Sequence, residues 1–453
     1  MAKILIKLNL FVFFGLTIIN LIGVFMPELG FDALWYHLTL SKLFLMKHQW
    51  YIPGGLYYYS AMPRLGELIG LPFLTLFGYI GPKFIQFFSG LITSLLIYRL
   101  AKRFTQDKLL SLSAVNLFYA TWLVSWQSSS AYVDLIRTLF ELSALFIILK
   151  SRFLNHKSII LTGLFMGLAI GVKWHALGSL VLLALVFTPT IAPIALLIAS
   201  PWFLIAYHFT GNPLHPLFEG FMTATQLAQV PPNFYTPLSI LRRVIFTPLF
   251  LTKPADDFLS PVTGVIFLIS FIGLISSNKI IRKISLFGVL GTFILLLTPP
   301  PSTRYFLPYF PALIIVSVYI ISRLKNLYSN LFVVIFTLSA FIIFGLRLYA
   351  FAKYLPYLSG KLSQNQFLAS QSYRLPDTFI DADDYVKNNL SPNASYAISS
   401  LHNLYYFPYN FDHDSFVDNT KHYDYLITTK ADPGEVRGEL IHTNPLGIQI
   451  FKL

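Results

Sequence analysis

Residues 158–189 read SIILTGLFMGLAIGVKWHALGSLVLLALVFTP, and the architecture turns on whether they form one long helix or two short ones. A span needs about 20 mostly apolar residues, so both readings are long enough. One helix inverts everything downstream and puts the basic run Lys279-Ile280-Ile281-Arg282-Lys283 on the outer side, against the positive-inside rule. Two short helices broken at Gly171-Val172-Lys173-Trp174-His175 keep that run inside and leave Lys173 at the outer surface. The two-helix reading is adopted.

Working outward, apolar segments of spanning character fall at 8–26, 80–98, 110–126, 131–149, 158–172, 175–189, 192–208, 259–276, 284–298, 305–321 and 330–349. The first follows Lys3 and Lys7 and runs into Pro27-Glu28-Leu29-Gly30 without a small-residue cleavage site, as an uncleaved anchor does. With the N-terminus in the cytoplasm, the five inner segments hold 14 Lys and Arg and a single acid, Asp107. Eleven spans then leave the C-terminus outside. The expected fold is an all-α polytopic membrane protein carrying a small C-terminal α/β extracytoplasmic domain.

Composition agrees. Of 453 residues 55% are hydrophobic and only 12% charged, against about 25% charged in soluble domains, and mean hydropathy is +0.63. The formal charge of +13 equals the excess in the inner segments, so it is a topology signal and no nucleic-acid partner is expected. Cysteine is absent, which excludes disulfides, thiolate metal sites and a Cys nucleophile. No Walker A loop, GxGxxG or GxSxG motif occurs, and no nucleotide cofactor is expected.

The membrane part is expected over 1–359, with two long outer loops. In the first, 27–79, Phe31 to Lys47 and Pro63 to Phe77 have the spacing of helices lying at the membrane surface. The second, 209–258, carries Gly211-Asn212-Pro213-Leu214-His215-Pro216, Pro231-Pro232, Glu219 and the pair Asp256-Asp257. Residues 360–453 hold 11 of the 20 acids. There a helix is expected over Pro376 to Leu390 with Asp377 as N-cap, and strands at 395–399, 423–428 and 448–451. Asp412-His413-Asp414 reads as a solvated loop.

Ionisable groups at membrane depth are costly and are functional candidates. Asp32, in Gly30-Phe31-Asp32-Ala33-Leu34-Trp35-Tyr36-His37-Leu38, stands beyond the outer end of the first span with Tyr36 one turn on. Its carboxylate suits a general base, a cation ligand or a helix N-cap equally. Asp134 opens the fourth span at the same level, as a shared-site residue or a charge favoured by the helix dipole. Glu67 has Arg64 at i, i+3 and reads as that pair on a solvated face. Lys173 and His175 stand at the break, where unwound backbone serves anionic ligands, and snorkelling accounts for Lys173 as well. Arg304, followed by Tyr305, opens the tenth span as a phosphate ligand or an interfacial anchor. The histidines show no metal spacing.

Taken in order, Phe31-Asp32-Ala33-Leu34-Trp35-Tyr36-His37, Tyr59-Ser60-Ala61-Met62-Pro63 with Glu67, Ala131-Tyr132-Val133-Asp134-Leu135, Gly167 to Lys173, Gly211 to Pro216 and Arg304-Tyr305-Phe306-Leu307-Pro308 resemble the GT-C superfamily of membrane glycosyltransferases, relatives of protein mannosyltransferases and lipid A aminoarabinose transferases. The resemblance covers most of 8–330. It implies transfer of a sugar from a polyprenyl-phosphate donor to an envelope glycan, lipid or protein acceptor, by a multi-pass protein of the cytoplasmic (inner) membrane whose site faces outward. On it, Asp32 and Asp134 are catalytic. Tyr36, His37, Glu67, Lys173, His175, Asn212, His215, Arg304 and Tyr305 bind substrate. Several relatives have an Asp-Glu pair where this chain has Asp32-Ala33, which leaves a divalent cation open. A transporter or flippase of lipid-linked sugars is the alternative; it predicts charges near mid-span and repeated halves, whereas here the retained acids cluster on one side and no repeat is visible.

Overall fold

The described parts of the eleven apolar segments are mostly helical in the computed structural model, with 110–126 and 305–321 each broken into two helices; the structure describes residues 1–151, 155–218, 233–253, 258–296, 298, 302–417, 420–429 and 438–453. The helices are α1 (Ala2–Val24), α2 (Leu38–Lys47), α3 (Leu65–Phe77), α4 (Ile80–Thr105), α5 (Lys108–Tyr119), α6 (Trp122–Gln127), α7 (Asp134–Lys150), α8 (His156–Val172), α9 (Ala176–Val186) and α10 (Ile191–Thr210). There follow α11 (Pro237–Ile245), α12 (Thr247–Thr252), α13 (Thr263–Leu274), α14 (Lys279–Leu296), α15 (Thr303–Phe306), α16 (Phe310–Ser322) and α17 (Asn326–Phe351). Among the described residues four helices are long and apolar enough to cross a membrane: α1, α4, α10 and the run Asn326–Leu358. Glu219, Asp256, Asp257 and Pro231-Pro232 lie outside the described residues.

The break after α8 is present. Lys173 is extended, with φ −162° and ψ 132°, and α9 restarts at Ala176. Its neighbour α8 can approach α10 closely because Gly163, Gly167 and Gly171 recur every four residues. A Cβ on Gly163 would stand 2.6 Å from Ile194 Cβ, one on Gly167 2.5 Å from Ile198 Cβ, and one on Gly171 2.5 Å from Trp202 Nε1. Small residues at that spacing let membrane helices pack backbone to backbone. Elsewhere, buried amides fasten the bundle. Asn9 Nδ2 donates to Thr337 Oγ1 at 2.9 Å, and Asn116 Nδ2 to Asn9 Oδ1 at 2.9 Å, joining α1, α5 and α17.

Two expected helices differ in surroundings. α3 keeps Phe73, Leu76 and Phe77 exposed, as a surface helix does. α2 instead buries Leu40 and Leu43 in one core with Phe379, Tyr396, Ile398 and Ile427 of the C-terminal part. The first loop and the C-terminal sheet therefore share a core. Lys42 Nζ donates to the Tyr405 and Phe407 carbonyls, Lys47 pairs with Asp412, and Tyr406 Oη donates to the Glu28 carbonyl at 2.9 Å.

That sheet has five strands in the order β2-β1-β3-β5-β4: β1 (Tyr396–Ile398), β2 (Asp412–His413), β3 (Tyr425–Thr428), β4 (Glu439–Thr443) and β5 (Gln449–Lys452). β1 is parallel to β2 and β3, and β5 is antiparallel to β3 and β4. Two expectations are corrected. The helix expected over 376–390 is only Tyr385–Asn389. Asp377 has φ +52° and its carbonyl accepts from His402 and Asn403, because Phe379 and Ile380 must run extended to reach the core. Asp381 serves the helix start instead, accepting from the Val386 and Lys387 amides at 3.0 Å. Asp412-His413 is an edge strand, with Asp412 held by Lys47, Lys421 and Tyr423.

Gly167→Val places two methyl groups against Ile198 and the Ala195 carbonyl. A loss of about 1–3 kcal/mol is expected from such overpacking, read as a lower melting temperature in detergent, whereas Gly345→Val, at a position facing open space, leaves it unchanged to within about 0.5 kcal/mol.

Candidate active site

Glu28 sets the frame. It is 2% exposed, and its carboxylate accepts from the Leu29 amide at 3.0 Å, the Gly30 amide at 2.7 Å, Ser130 Oγ at 2.9 Å and the Ala131 amide at 2.7 Å. The segment before Asp32 is thus tied to the segment before Asp134. Gly30 has to be glycine there: a Cβ would lie 2.6 Å from the Tyr132 ring and 2.9 Å from Glu28 Oε1.

From this frame Asp32 enters a turn of π-helix, Ala33–His37, a form found often at functional sites. The chain does not use Asp32 as a cap. Its Oδ2 takes Arg304 Nη1 at 2.5 Å and the Tyr36 hydroxyl at 3.1 Å. Tyr132 lies beneath the pair: its hydroxyl accepts from the Asp32 amide at 3.2 Å, and the Arg304 guanidinium stands 5.4 Å over its ring. Tyr59 stacks on Tyr36 with centroids 4.2 Å apart. Burial, reinforced by the Asp32 charge, pushes the Tyr36 phenol well above its ordinary pKa, so Tyr36 is a proton-bearing donor to Asp32.

A second pair lies beside the first. Asp134 is 1% exposed; its Oδ1 accepts from Lys173 Nζ at 2.9 Å and its Oδ2 from Gln127 Nε2 at 2.9 Å. The extended conformation of Lys173 at the α8–α9 break brings the ammonium to α7. Lys173 also stands 5.2 Å over the Tyr305 ring, and Tyr305 stacks on His175 with centroids 4.0 Å apart. Arg304 and Tyr305 are consecutive on α15, which Ser302 caps by accepting from the Arg304 amide. One turn therefore serves both pairs, and the charges of Lys173, Arg304 and His37 all act on Asp134.

Glu67 pairs with His37 and not with Arg64, correcting the solvated-face reading: His37 Nδ1 and Glu67 Oε1 are 2.6 Å apart. Arg64 is taken by the Trp50 carbonyl at 3.1 Å and lies over the Trp50 ring. Burial opposes ionisation of Glu67, but the His37 hydrogen bond and the His37 and Arg64 charges outweigh it and hold Glu67 below its usual pKa. An ionised Glu67 makes His37 Nδ1 the donor, and among the described residues Nε2 of the same ring is buried with no hydrogen-bond partner. His215 Nε2 lies 3.1 Å from the Tyr58 carbonyl, at the edge of the Tyr58–Tyr59 stack. Asn212 stays in its own loop: it is wholly buried, donating to the Leu217 carbonyl and accepting from the Leu214 amide.

The candidates from six separate stretches thus converge, Asn212 excepted. Gln127, Tyr132 and Tyr59 complete the group without having been singled out from sequence; only the polar run Gln127-Ser128-Ser129-Ser130 beside Asp134 hinted at the first. Among the described residues no three His, Asp or Glu side chains are placed to hold a metal ion. Asp32 and Asp134 are each occupied by a cation and a neutral donor, so these residues do not fit a divalent metal.

Compared with solved structures, the chain superposes on ArnT from Cupriavidus metallidurans in the apo state with a TM-score of 0.65 at 12% identity, covering 96% of this chain and 95% of that one. The chain has the ArnT fold. The same protein bound to undecaprenyl phosphate aligns with a TM-score of 0.62 at 13% identity, over 98% of this chain and 97% of that one. The archaeal oligosaccharyltransferase AglB from Archaeoglobus fulgidus, in complex with an inhibitory peptide and a dolichol-phosphate, aligns at 0.44 and 13% identity over 86% of this chain and 62% of that one. No family model and no curated protein matches. The fold shared with ArnT over nearly the whole chain agrees with the mostly helical fold that the sequence resemblance implied.

Lys173→Met strands the buried Asp134 with Gln127 alone. A loss of about 3–5 kcal/mol is expected for breaking one side of a buried pair. The double variant Asp134→Leu/Lys173→Met should recover much of it, as measured by thermal unfolding in detergent; a double variant no better than the single would show that the pair is not what stabilises this end.

Proposed function

We propose that this protein is a membrane glycosyltransferase that moves a sugar from a polyprenyl-phosphate donor to a glycan, lipid or protein acceptor. The observation that carries the reading is the coupled set of two carboxylate–cation pairs, Asp32–Arg304 and Asp134–Lys173, bridged by α15 at one end of the bundle. The ArnT fold over nearly the whole chain supports it, as does the undecaprenyl phosphate carried by one of those neighbours.

In this reading the donor's tail stays in the bilayer while its phosphate meets the cations. Arg304 and Lys173 exchange a carboxylate for the phosphate and stabilise it as it leaves the anomeric carbon. Released from Arg304, Asp32 accepts or orients the acceptor hydroxyl proton, with Tyr36 holding the carboxylate in place. Asp134 orients the acceptor or the neighbouring base, and His37, Glu67, His175, His215 and Tyr305 line the approach. No nucleotide is required.

The reading includes a membrane domain over 1–359 with eleven spans, the N-terminus in the cytoplasm, and the C-terminus, the active end and residues 360–453 outside the cytoplasmic membrane. A flippase of lipid-linked sugars is favoured by one feature, the Arg137–Glu141 pair inside α7, since transporters keep charges within their spans.

Incubation of the purified protein with radiolabelled polyprenyl-phosphate sugars and envelope acceptors separates the two: a transferase moves label to acceptor without vesicles, a flippase does not. Asp32→Asn is expected to lower transfer by about 10²- to 10⁴-fold, and near-full activity in a folded preparation would remove Asp32 as base. Reporter fusions after residues 105, 325 and 453 test orientation: an exported-only reporter should be active at 453 alone.

A further inference from the structure

Below Asp134, α7 carries Arg137 and Glu141, a pair with 0% and 1% exposure. Arg137 Nε donates to Glu141 Oε1 at 2.6 Å. The other Glu141 oxygen accepts from Ser179 Oγ, which itself lies 2.8 Å from Tyr309 Oη. Arg137 Nη1 and Nη2, the fork end of the guanidinium, are buried with no hydrogen-bond partner among the described residues. On α9, His175 precedes Ser179 by one turn, as Arg137 precedes Glu141 on α7. With Ser179 bonded to Glu141, His175 comes level with Arg137. Its Nδ1 is likewise buried and unpartnered, and the charges of Arg137, Lys173 and Arg304 all act on it.

A buried donor left unsatisfied costs its full desolvation, and the Nη end leaves four N–H groups in that state. The unused set on Arg137 consists of donors only. Water brings donors of its own, whereas a phosphate offers only acceptors, and two parallel N–H···O bonds from a guanidinium fork match its geometry. All three cations are paired with a carboxylate, Arg304 with Asp32, Lys173 with Asp134 and Arg137 with Glu141; Arg137 differs in having its whole Nη end unused. Glu141 holds Arg137 from the Nε side and leaves the fork end open. Lys173, His175 and Tyr305, all partly exposed, stand between that end and solvent.

We infer that the Nη end of Arg137, with His175, is an anion subsite about 4.5 Å along α7 from Asp134, and that it takes the phosphate of a polyprenyl phosphate entering past Lys173 and Tyr305. The choice of a lipid-linked phosphate rests on the transferase reading; the anion subsite rests on the unpartnered fork. The subsite adds a third cation, one turn along α7 from Asp134, to Arg304 and Lys173, which the transferase reading assigns to the same phosphate.

The full-length protein in detergent is titrated with undecaprenyl phosphate, undecaprenol and inorganic phosphate, read by native mass spectrometry and thermal shift. The wild type should bind the lipid phosphate and not the alcohol. Arg137→Lys, which keeps the charge and loses the fork, should weaken binding by at least about tenfold, and Arg137→Gln by more. Arg137→Met/Glu141→Leu, which removes both charges together, should keep the wild-type melting temperature or exceed it while losing the lipid phosphate, separating a ligand site from a folding device. Lys and Gln variants with wild-type affinity overturn the subsite, and so does a wild type that binds neither phosphate. Inorganic phosphate binding as tightly as the lipid overturns the lipid assignment. Absence of sugar transfer with undecaprenyl phosphate binding intact sinks the transferase reading and leaves the subsite standing.

Discussion

A carboxylate buried at the end of a helix bundle has to be neutralised where it stands, and Asp134 is neutralised by Lys173. That single pair requires the chain to stop being helical between α8 and α9, because only an extended Lys173 brings its ammonium onto α7. The break starts α9 at the right level to set His175 beside Tyr305, and Tyr305 carries Arg304 to Asp32. The first loop is then held against the same end through Glu28, which joins the segments before the two aspartates by four hydrogen bonds. Charge neutralisation in a dry place thus organises both the helix ends and the loop above them.

The same constraint bears on the proposed transferase chemistry. Opposite charges are stored here as internal pairs; on that proposal an incoming phosphate takes a cation from a carboxylate, and the carboxylate left with excess negative charge is the base. Tyr36 and Gln127 bond to the carboxylates as neutral donors and on the same proposal keep Asp32 and Asp134 oriented when a cation is drawn away. The C-terminal sheet contributes from above: by sharing a core with α2 and holding Lys42 and Lys47, it fixes the helix that continues directly from the π-turn bearing Tyr36 and His37.

Sequence reasoning succeeded wherever the signal was local. Tyr36 four residues after Asp32 does meet its carboxylate. The apolar segments are helices, and Lys173 breaks one of them. It failed where a partner lay far along the chain. Glu67 was assigned to Arg64 three residues away, yet it pairs with His37 thirty residues back. Asp377 had the right residue type for a cap, but the burial of Phe379 and Ile380 pulled the chain out of helical geometry and passed the role to Asp381. Asn212 had a plausible loop context, and its amide is spent inside that loop. Arg137 sits in a segment legible only as a span, so nothing local marked its fork end as unused.

The sequence by itself determined the mostly helical, apolar class of the chain and which few ionisable residues its first 359 positions retain, because hydropathy and charge are sums over neighbouring residues. Which carboxylate takes which cation was decided only by the tertiary structure. Such a pair forms between groups as far as 272 residues apart for Asp32 and Arg304 and 365 for Lys47 and Asp412, and its energy depends on burial and on angstrom-scale geometry that spacing along a chain does not encode.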